Sequence, residues 1–363
     1  MRLLIPLLLL ASIASAPLAR ADDTPASAGE NDLSDCHDSS DADDNQSVIE
    51  QCSSALTAGG LDNEETFMAY LYRGMAHHSR NENDAAVADF TEAMASDPDH
   101  KDTDFALFER GAAYSDEGQY AKALADFDAT VKLKPDEATY RLMRGNTYFN
   151  LERNVEALAD LSKAIELDPK DAGAFSERSV VYFMQGEYAA SLADSTQLLQ
   201  LKADDDAAHT EIGEAHYFLG QYPEALAAFD AQLAHSPKDD YAMTWRYLAA
   251  QRAGQDGSKP LAAALEGIDD HKRWTYVLGQ LYLGKANREQ VLIAAAAAAG
   301  TDMDLQKQVL CQVKSFLGEF YRNSGQAAAA PLFKDAMQLC ASNSIGRIVA
   351  QRGLASVKKA KKN

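Results

Sequence analysis

Residues 104–137 read DFALFERGAAYSDEGQYAKALADFDATVKLKPDE, and residues 138–171 read ATYRLMRGNTYFNLERNVEALADLSKAIELDPKD. Laid end to end, they set Gly111 over Gly145, Tyr114 over Tyr148, Ala123 over Ala157, Phe127 over Leu161 and Pro135 over Pro169. The same 34-residue period runs without a gap through 172–205 and 206–239. Segment 67–100 precedes them, set off by the insertion Lys101-Asp102-Thr103. With each segment numbered from its first residue, position 8 holds Gly74, Gly111, Gly145, Ser179 and Gly213. Position 11 holds His77, Tyr114, Tyr148, Tyr182 and His216, and position 20 holds Ala86, Ala123, Ala157, Ser191 and Ala225. Position 24 holds Phe90, Phe127, Leu161, Ser195 and Phe229, and position 32 holds Pro98, Pro135, Pro169, Ala203 and Pro237. Small residues at 8 and 20 let two antiparallel helices approach closely, while the aromatic positions 11 and 24 fill the space between repeats. Proline at 32 cannot continue a helix and ends the second one. Gly118, Gly186 and Gly220 at position 15 supply a left-handed turn between the helices.

These residues at this period resemble the tetratricopeptide repeat, a helix–turn–helix unit. The resemblance covers 67–239 and implies an all-α fold, a right-handed superhelical solenoid of antiparallel helix pairs. It further implies a concave face lined by positions 2, 5, 9, 12 and 13 of the first helices. Here those positions include Phe105, Phe108, Leu142, Asn146, Phe149, Asn150, Phe183, Met184, Tyr217 and Phe218. Many would also serve packing, especially at position 12. The basic residues that clamp a C-terminal carboxylate in chaperone-binding repeats are missing, since position 5 is Leu71, Phe108, Leu142, Ser176 and Thr210. An apolar, aromatic groove suits an extended or helical peptide instead, with Asn146 and Asn150 able to hydrogen-bond its backbone.

A second periodicity pairs position 7 with position 23. Position 7 holds Arg73, Arg110, Arg144 and Arg178, and position 23 holds Asp89, Asp126, Asp160 and Asp194. In the fifth unit both change together, to Ile212 and Ala228. A partly buried ion pair within each repeat accounts for the joint loss, because such a pair is costly to break singly and cheap to replace whole. An arginine ladder for anions would not carry the aspartates with it.

The chain begins MRLLIPLLLLASIASAPLARA, a positive residue followed by a short apolar run and small residues, the pattern of a secretory leader. Cleavage after Ala16 would leave Pro17 first. Cleavage after Ala21 satisfies the A-x-A pattern and would remove 1–21, taking the formal charge from −21 to −23. A periplasmic or secreted location follows. Residues 22–33 read as a disordered acidic linker and 34–66 as a helical cap. All four cysteines, Cys36, Cys52, Cys311 and Cys340, lie beyond the leader, and an even count in an exported chain favours disulfides. Of three connectivities the local one, 36–52 with 311–340, joins residues within single elements. Zinc at Cys36 and His37 is the competing reading, but the spacing fits no zinc pattern.

Past 239 the pattern decays. Residues 240–254 keep a first helix with Trp245, Tyr247 and Leu248; 272–299 and 311–344 resume it. In the latter register Cys311 and Cys340 take positions 1 and 30, neighbours in an antiparallel pair. Trp274, Leu281-Tyr282-Leu283-Gly284, Glu289-Gln290-Val291-Leu292 and Phe316-Leu317-Gly318-Glu319-Phe320-Tyr321 resemble the end of the NlpI-like periplasmic repeat proteins, non-catalytic adaptors for envelope enzymes. This chain lacks that family's lipid-anchor cysteine. Residues 240–350 thus read as a degenerate repeat region and 351–363 as a basic tail, with Lys358, Lys359, Lys361 and Lys362.

With 55 acidic against 34 basic residues, the chain lacks the basic footprint of a general nucleic-acid binder. The leader's apolar run is too short for a bilayer span, so stable membrane insertion is not expected. No nucleophile–base, metalloprotease or phosphate-loop motif is present. His77 and His78 point to different sides of a helix, and His209 and His216 stand two turns apart. The acidic clusters Asp41 to Asp44 and Asp204 to Asp206 read as solvated loops. No catalytic residue, cofactor or metal is therefore assigned. The expected function is an exported scaffold that binds protein or peptide segments of the envelope, the alternatives being an inhibitor or chaperone of one client, or a regulatory enzyme subunit. Homo-oligomerisation is left open by the sequence.

Overall fold

In the computed structural model, which describes residues 33, 36, 45–342 and 344–360, every regular element is a helix. The leader, residues 22–32 of the acidic linker, His37, the Asp41 to Asp44 cluster, Lys361 and Lys362 lie outside the described residues. The chain divides into two units at Pro169–Lys170.

The first unit holds α1 (Asn45–Ala58), α2 (Asn63–Ser79), α3 (Asn83–Ser96), α4 (Thr103–Asp116), α5 (Tyr120–Leu133), α6 (Ala138–Asn150) and α7 (Asn154–Leu167). Asp62 starts α2 with a capping box: its carboxylate accepts from the Glu65 N–H at 2.9 Å, while its own N–H donates to Glu65 Oε2 at 2.8 Å. Within each repeat the position-8 glycine lies under the position-24 side chain. A Cβ on Gly111 would sit 2.9 Å from the Phe127 ring, and one on Gly145 would sit 2.9 Å from Leu161. Phe67, Phe90 and Phe127 are wholly buried. Cys36 and Cys52 are bridged, with Cα atoms 5.2 Å apart, among Val48, Ile49, Tyr72 and Ala76. The interhelix turn needs a left-handed residue at position 15. Gly118 provides it at φ +71°, but Asn81 and Glu152 take φ +59° and +60° at the same place.

The second unit holds α8 (Ala172–Gln185), α9 (Tyr188–Leu201), α10 (Asp206–Leu219), α11 (Tyr222–His235), α12 (Asp240–Arg252), α13 (Ser258–Glu266), α14 (Trp274–Tyr282), α15 (Arg288–Ala299), α16 (Met303–Asn323), α17 (Ala329–Leu339) and α18 (Ile345–Ala360). Asp171, Asp205 and Asp239, the last residues of their repeats, cap α8, α10 and α12 with side-chain oxygens on the first N–H groups. The core gathers around wholly buried Trp245, which meets Tyr217 at 5.0 Å and Phe316 at 5.3 Å between ring centres. Cys311 is bridged to Cys340, with Cα atoms 5.0 Å apart, tying α16 to the end of α17.

Two elements differ from the sequence reading. The interval between 254 and 272, given no helix there, forms α13, whose Leu265 packs on Gly279 of α14. The segment read as a tail from 351 begins inside α18. Buried Gly353 lies so close to Phe333 that a Cβ would come within 2.2 Å of the ring.

Candidate functional site

The position-7 and position-23 side chains meet in all four repeats that carry them. Arg73 Nε and Nη2 donate to Asp89 at 2.8 and 2.7 Å, and Arg110 does the same to Asp126 at 2.8 and 2.7 Å. Arg144 contacts Asp160 at 2.6 and 2.8 Å, and Arg178 contacts Asp194 at 2.8 and 2.8 Å. Each guanidinium is bound bidentately, and the carboxylates are nearly enclosed. Hydrogen bonding to the aspartates, opposed by burial, raises the pKa of all four arginines.

One part of the ladder escaped the sequence reading. In three of the four arginines the third nitrogen reaches back to a preceding helix: Arg73 Nη1 to Ser53 Oγ, Arg110 Nη1 to Thr91 Oγ1 and Arg144 Nη1 to Asp128 Oδ1, each at 3.0 Å. Thr91 and Asp128 occupy position 25, where Asp230 of the fifth repeat meets Arg246 in α12. Polar residues recurring at position 25 were the available signal.

The ten residues expected on an open inner face fall into two groups. Phe105, Phe108, Leu142, Asn146, Phe149 and Asn150 are half-buried on the first helices of the second and third repeats. Phe108 is the hub of a ring cluster with Tyr140 at 5.1 Å, Phe127 at 5.9 Å and Phe105 at 6.5 Å. Asn150 Nδ2 donates to Asn146 Oδ1 at 2.9 Å, one helical turn back, which fixes the orientation of both amides.

Phe183 and Tyr217 correct the expectation, since each is only 4% exposed. The chain's own C-terminal helices cover them. Phe183 packs in one cluster with Tyr188, Ala215 and Ile348 of α18, with half-buried Met184 and Phe218 alongside. Tyr217 donates its hydroxyl to Glu319 Oε2 of α16 at 2.7 Å, and Glu319 is also bound by Arg322.

Buried acids form the other polar feature. In the fourth repeat positions 8, 20 and 24 are all serine, and the space of the missing ring admits Glu211 from the next repeat. Ser179 and Ser195 donate to Glu211 Oε2 at 2.6 and 2.8 Å. Burial raises the Glu211 carboxyl to about 7, against those two bonds. Glu214, 1% exposed, accepts from Tyr241 at 2.5 Å and is raised by burial to about 8. Three serines in one repeat's small and aromatic positions marked the place; the glutamates were lost among many acids. His78 is flanked by Asp116 at 2.9 Å and Glu109 at 3.6 Å; burial opposes its charge, but these acids raise it to about 9. Among the described residues no cluster of His, Cys, Asp or Glu could hold a metal, and no helix is long and apolar enough to cross a membrane.

Repeated antiparallel helix pairs, joined by left-handed turns and locked by position 8 on position 24, define a helical-repeat solenoid. Residues 108–172, 142–208 and 177–240 each match the tetratricopeptide repeat family. A tetratricopeptide repeat protein from Parabacteroides merdae is similar in structure, with TM-score 0.55 and 15% identity over 68% of this chain and 97% of that one. MamA is similar at TM-score 0.44 and 23% identity, over 49% of this chain and 95% of that one. So is YrrB, described as a repeat protein with an unusual peptide-binding site, at TM-score 0.45 and 19% identity over 54% of this chain and 97% of that one. Residues 108–240 therefore carry tetratricopeptide repeats, within an all-helical repeat fold. Proteins of this kind generally mediate protein–protein interaction and are typically non-catalytic.

Proposed function

We propose that the protein is an exported, non-catalytic adaptor that holds peptide or protein segments on the first-helix face of its second and third repeats. The observation that carries this reading is the half-exposed row Phe105, Phe108, Leu142, Asn146, Phe149 and Asn150, where aromatic rings alternate with pre-oriented amides. Rings supply contact area at low entropic cost, and amides pair with a ligand backbone. Export is supported by the leader-like first 21 residues and by two cystine bridges, which persist in oxidising compartments. Together with the likeness of 272–350 to the NlpI-like proteins, this favours envelope proteins as partners.

The test is replacement of Phe108 and Phe149 by Ser, with partners captured by crosslinking in intact cells. Partner recovery should fall by more than is explained by the modest loss of melting temperature that half-buried rings imply. A stability loss of about 3–5 kcal/mol for each, as for truncation of a core Phe, would make them packing residues and end the groove assignment. Two different partners retained at once would mark a scaffold; a single stoichiometric client would mark an inhibitor or chaperone.

A further inference from the structure

On the fourth and fifth repeats the rings of Tyr188 and Phe218 stack with centres 5.2 Å apart and planes 19° from parallel. Phe183 closes one side, edge-on to both, at 5.1 and 5.6 Å. Over the stack lies the guanidinium of Arg352 from α18, 4.5 Å from the Tyr188 ring centre and 5.4 Å from that of Phe218. Its Nη1 donates to the Phe218 carbonyl at 3.1 Å. That carbonyl belongs to the last turn of α10, where carbonyls lack intrahelical donors and carry the negative end of the helix dipole. The turn residues Gly220 and Gln221 donate to Tyr217 and His216, and Arg352 meets Phe218.

Ring faces and a helix-end carbonyl make a particular demand. The quadrupole of each ring attracts a cation lying flat against it, and the carbonyl needs an N–H in the same plane. A guanidinium, flat and rimmed with N–H groups, satisfies both at once. An ammonium, compact and strongly hydrated, does not.

The site opens to solvent where Arg352 enters: Tyr188 is 5% exposed, whereas Arg352 itself is exposed. α18 is anchored beside the stack by Ile348, which packs with Phe183 and Tyr188, and also through residues other than Arg352 against α16 and α17. Gly346 lies against the sulfur of Cys311, Gly353 lies against Phe333, and Arg347 Nη1 donates to the Met337 carbonyl at 2.9 Å. The Arg352 side chain can therefore swing out while α18 stays in place.

We propose that Tyr188, Phe218 and the Phe218 carbonyl form an arginine-recognition box, filled here by the chain's own Arg352, which receives an arginine from a basic partner segment in its place. A formal charge of −21 draws such a segment toward the protein, and the tethered Arg352 competes with it. This site is separate from the groove of the second and third repeats and does not depend on it.

The test uses the full-length oxidised protein, wild type and R352A, titrated with a fluorescent arginine hexapeptide and with its lysine counterpart at physiological ionic strength. R352A should bind the arginine peptide about three- to tenfold more tightly than wild type, with lysine-peptide affinity unchanged. Adding Y188L to R352A should abolish the gain. Because Y188L could disturb folding, the amide and ring resonances of Tyr188 and Phe218 in R352A provide a second readout, and they should shift on adding the arginine peptide. Equal binding of both peptides by wild type and R352A, or shifts confined to acidic loops, would reduce the effect to charge attraction and overturn the box.

Discussion

Removing Arg110 should cost more than removing Arg144, although both stand at position 7 of neighbouring repeats. The carboxylate of Asp126 is 8% exposed and is bound by Arg110 alone among the arginines, at 2.8 and 2.7 Å. Arg110→Ile strands that charge in a helix interface, and breaking one side of a buried pair costs about 3–5 kcal/mol at full burial. The Arg110 side chain is 20% exposed, so water reaches the site, and the expected loss is about 2–3 kcal/mol. Asp160 is equally enclosed at 7%, but Arg141 Nη1 stands 3.3 Å from its Oδ1 in addition to Arg144. Arg144→Ile leaves that second cation in place and should cost about 1–2 kcal/mol. The double change Arg110→Ile with Asp126→Ala copies the Ile212 and Ala228 pair of the fifth repeat and should recover most of the loss. Urea unfolding of the four proteins gives the coupling, expected at about 1–3 kcal/mol. Hydrogen exchange then shows whether the loss stays in α4 and α5 or spreads to their neighbours, as nearest-neighbour coupling in repeat arrays allows. Strictly additive single effects, or equal costs at Arg110 and Arg144, would refute the reasoning.

Other expectations follow from single sites. Glu211 and Glu214, raised by burial to about 7 and about 8, hold protons when folded that the unfolded chain releases near 4.5. Their contribution is complete below pH 4.5 and is lost as pH rises through 7 to 8, so the urea midpoint should fall between pH 5 and 9, and Glu211→Gln should flatten that fall. Glu152→Gly should stabilise by about 0.5–1 kcal/mol, because a non-glycine residue holds φ +60° there; a melting temperature unchanged or lowered would contradict it. Gly353→Ala should destabilise by about 1–3 kcal/mol through overpacking against Phe333, read by thermal unfolding. Thiol titration of unreduced protein should find no free cysteine among the four, and reducing 311–340 should cost about 3–4 kcal/mol on the chain-entropy estimate.

The regular repeats were legible because each of their demands recurs. A close helix approach requires a small residue at position 8 whenever a ring fills position 24, and that pairing appears again and again in the sequence. α13 offered no such recurrence: it lies off the 34-residue register, with Pro260 near its start, where proline costs little. α18 carries its own packing device. Gly346 and Gly353 are seven residues apart, two turns along one face, and lie against the Cys311–Cys340 bridge and Phe333. The tail reading rests on the lysine cluster alone, and that cluster says nothing of how Gly353 packs. The inner-face residues were assigned by position alone, which cannot say whether another part of the chain lies on them; Phe183 and Tyr217 were buried by helices more than a hundred residues away.

The fourth and fifth repeats meet a demand that the earlier ones do not. A repeat that stacks only on its neighbours can fill its seams with rings and close each position-7 arginine on its own aspartate. The fourth and fifth repeats also receive α16 and α18, so their residues must satisfy a third surface. Tyr217 at position 12 turns its hydroxyl to Glu319 of α16, and Phe218 at position 13 meets Arg352 of α18. Beside them Glu214 closes on Tyr241 of α12, and Glu211 fills the seam left by three serines. Burying an ionised carboxylate is costly, so Glu211 and Glu214, among hydroxyl partners, take up a proton more readily than a free glutamate, whereas Glu319 is balanced by Arg322. Apolar substitution at one member of the seam leaves the others unsatisfied in a buried place, so three residues rather than two must change together for the loss to be offset.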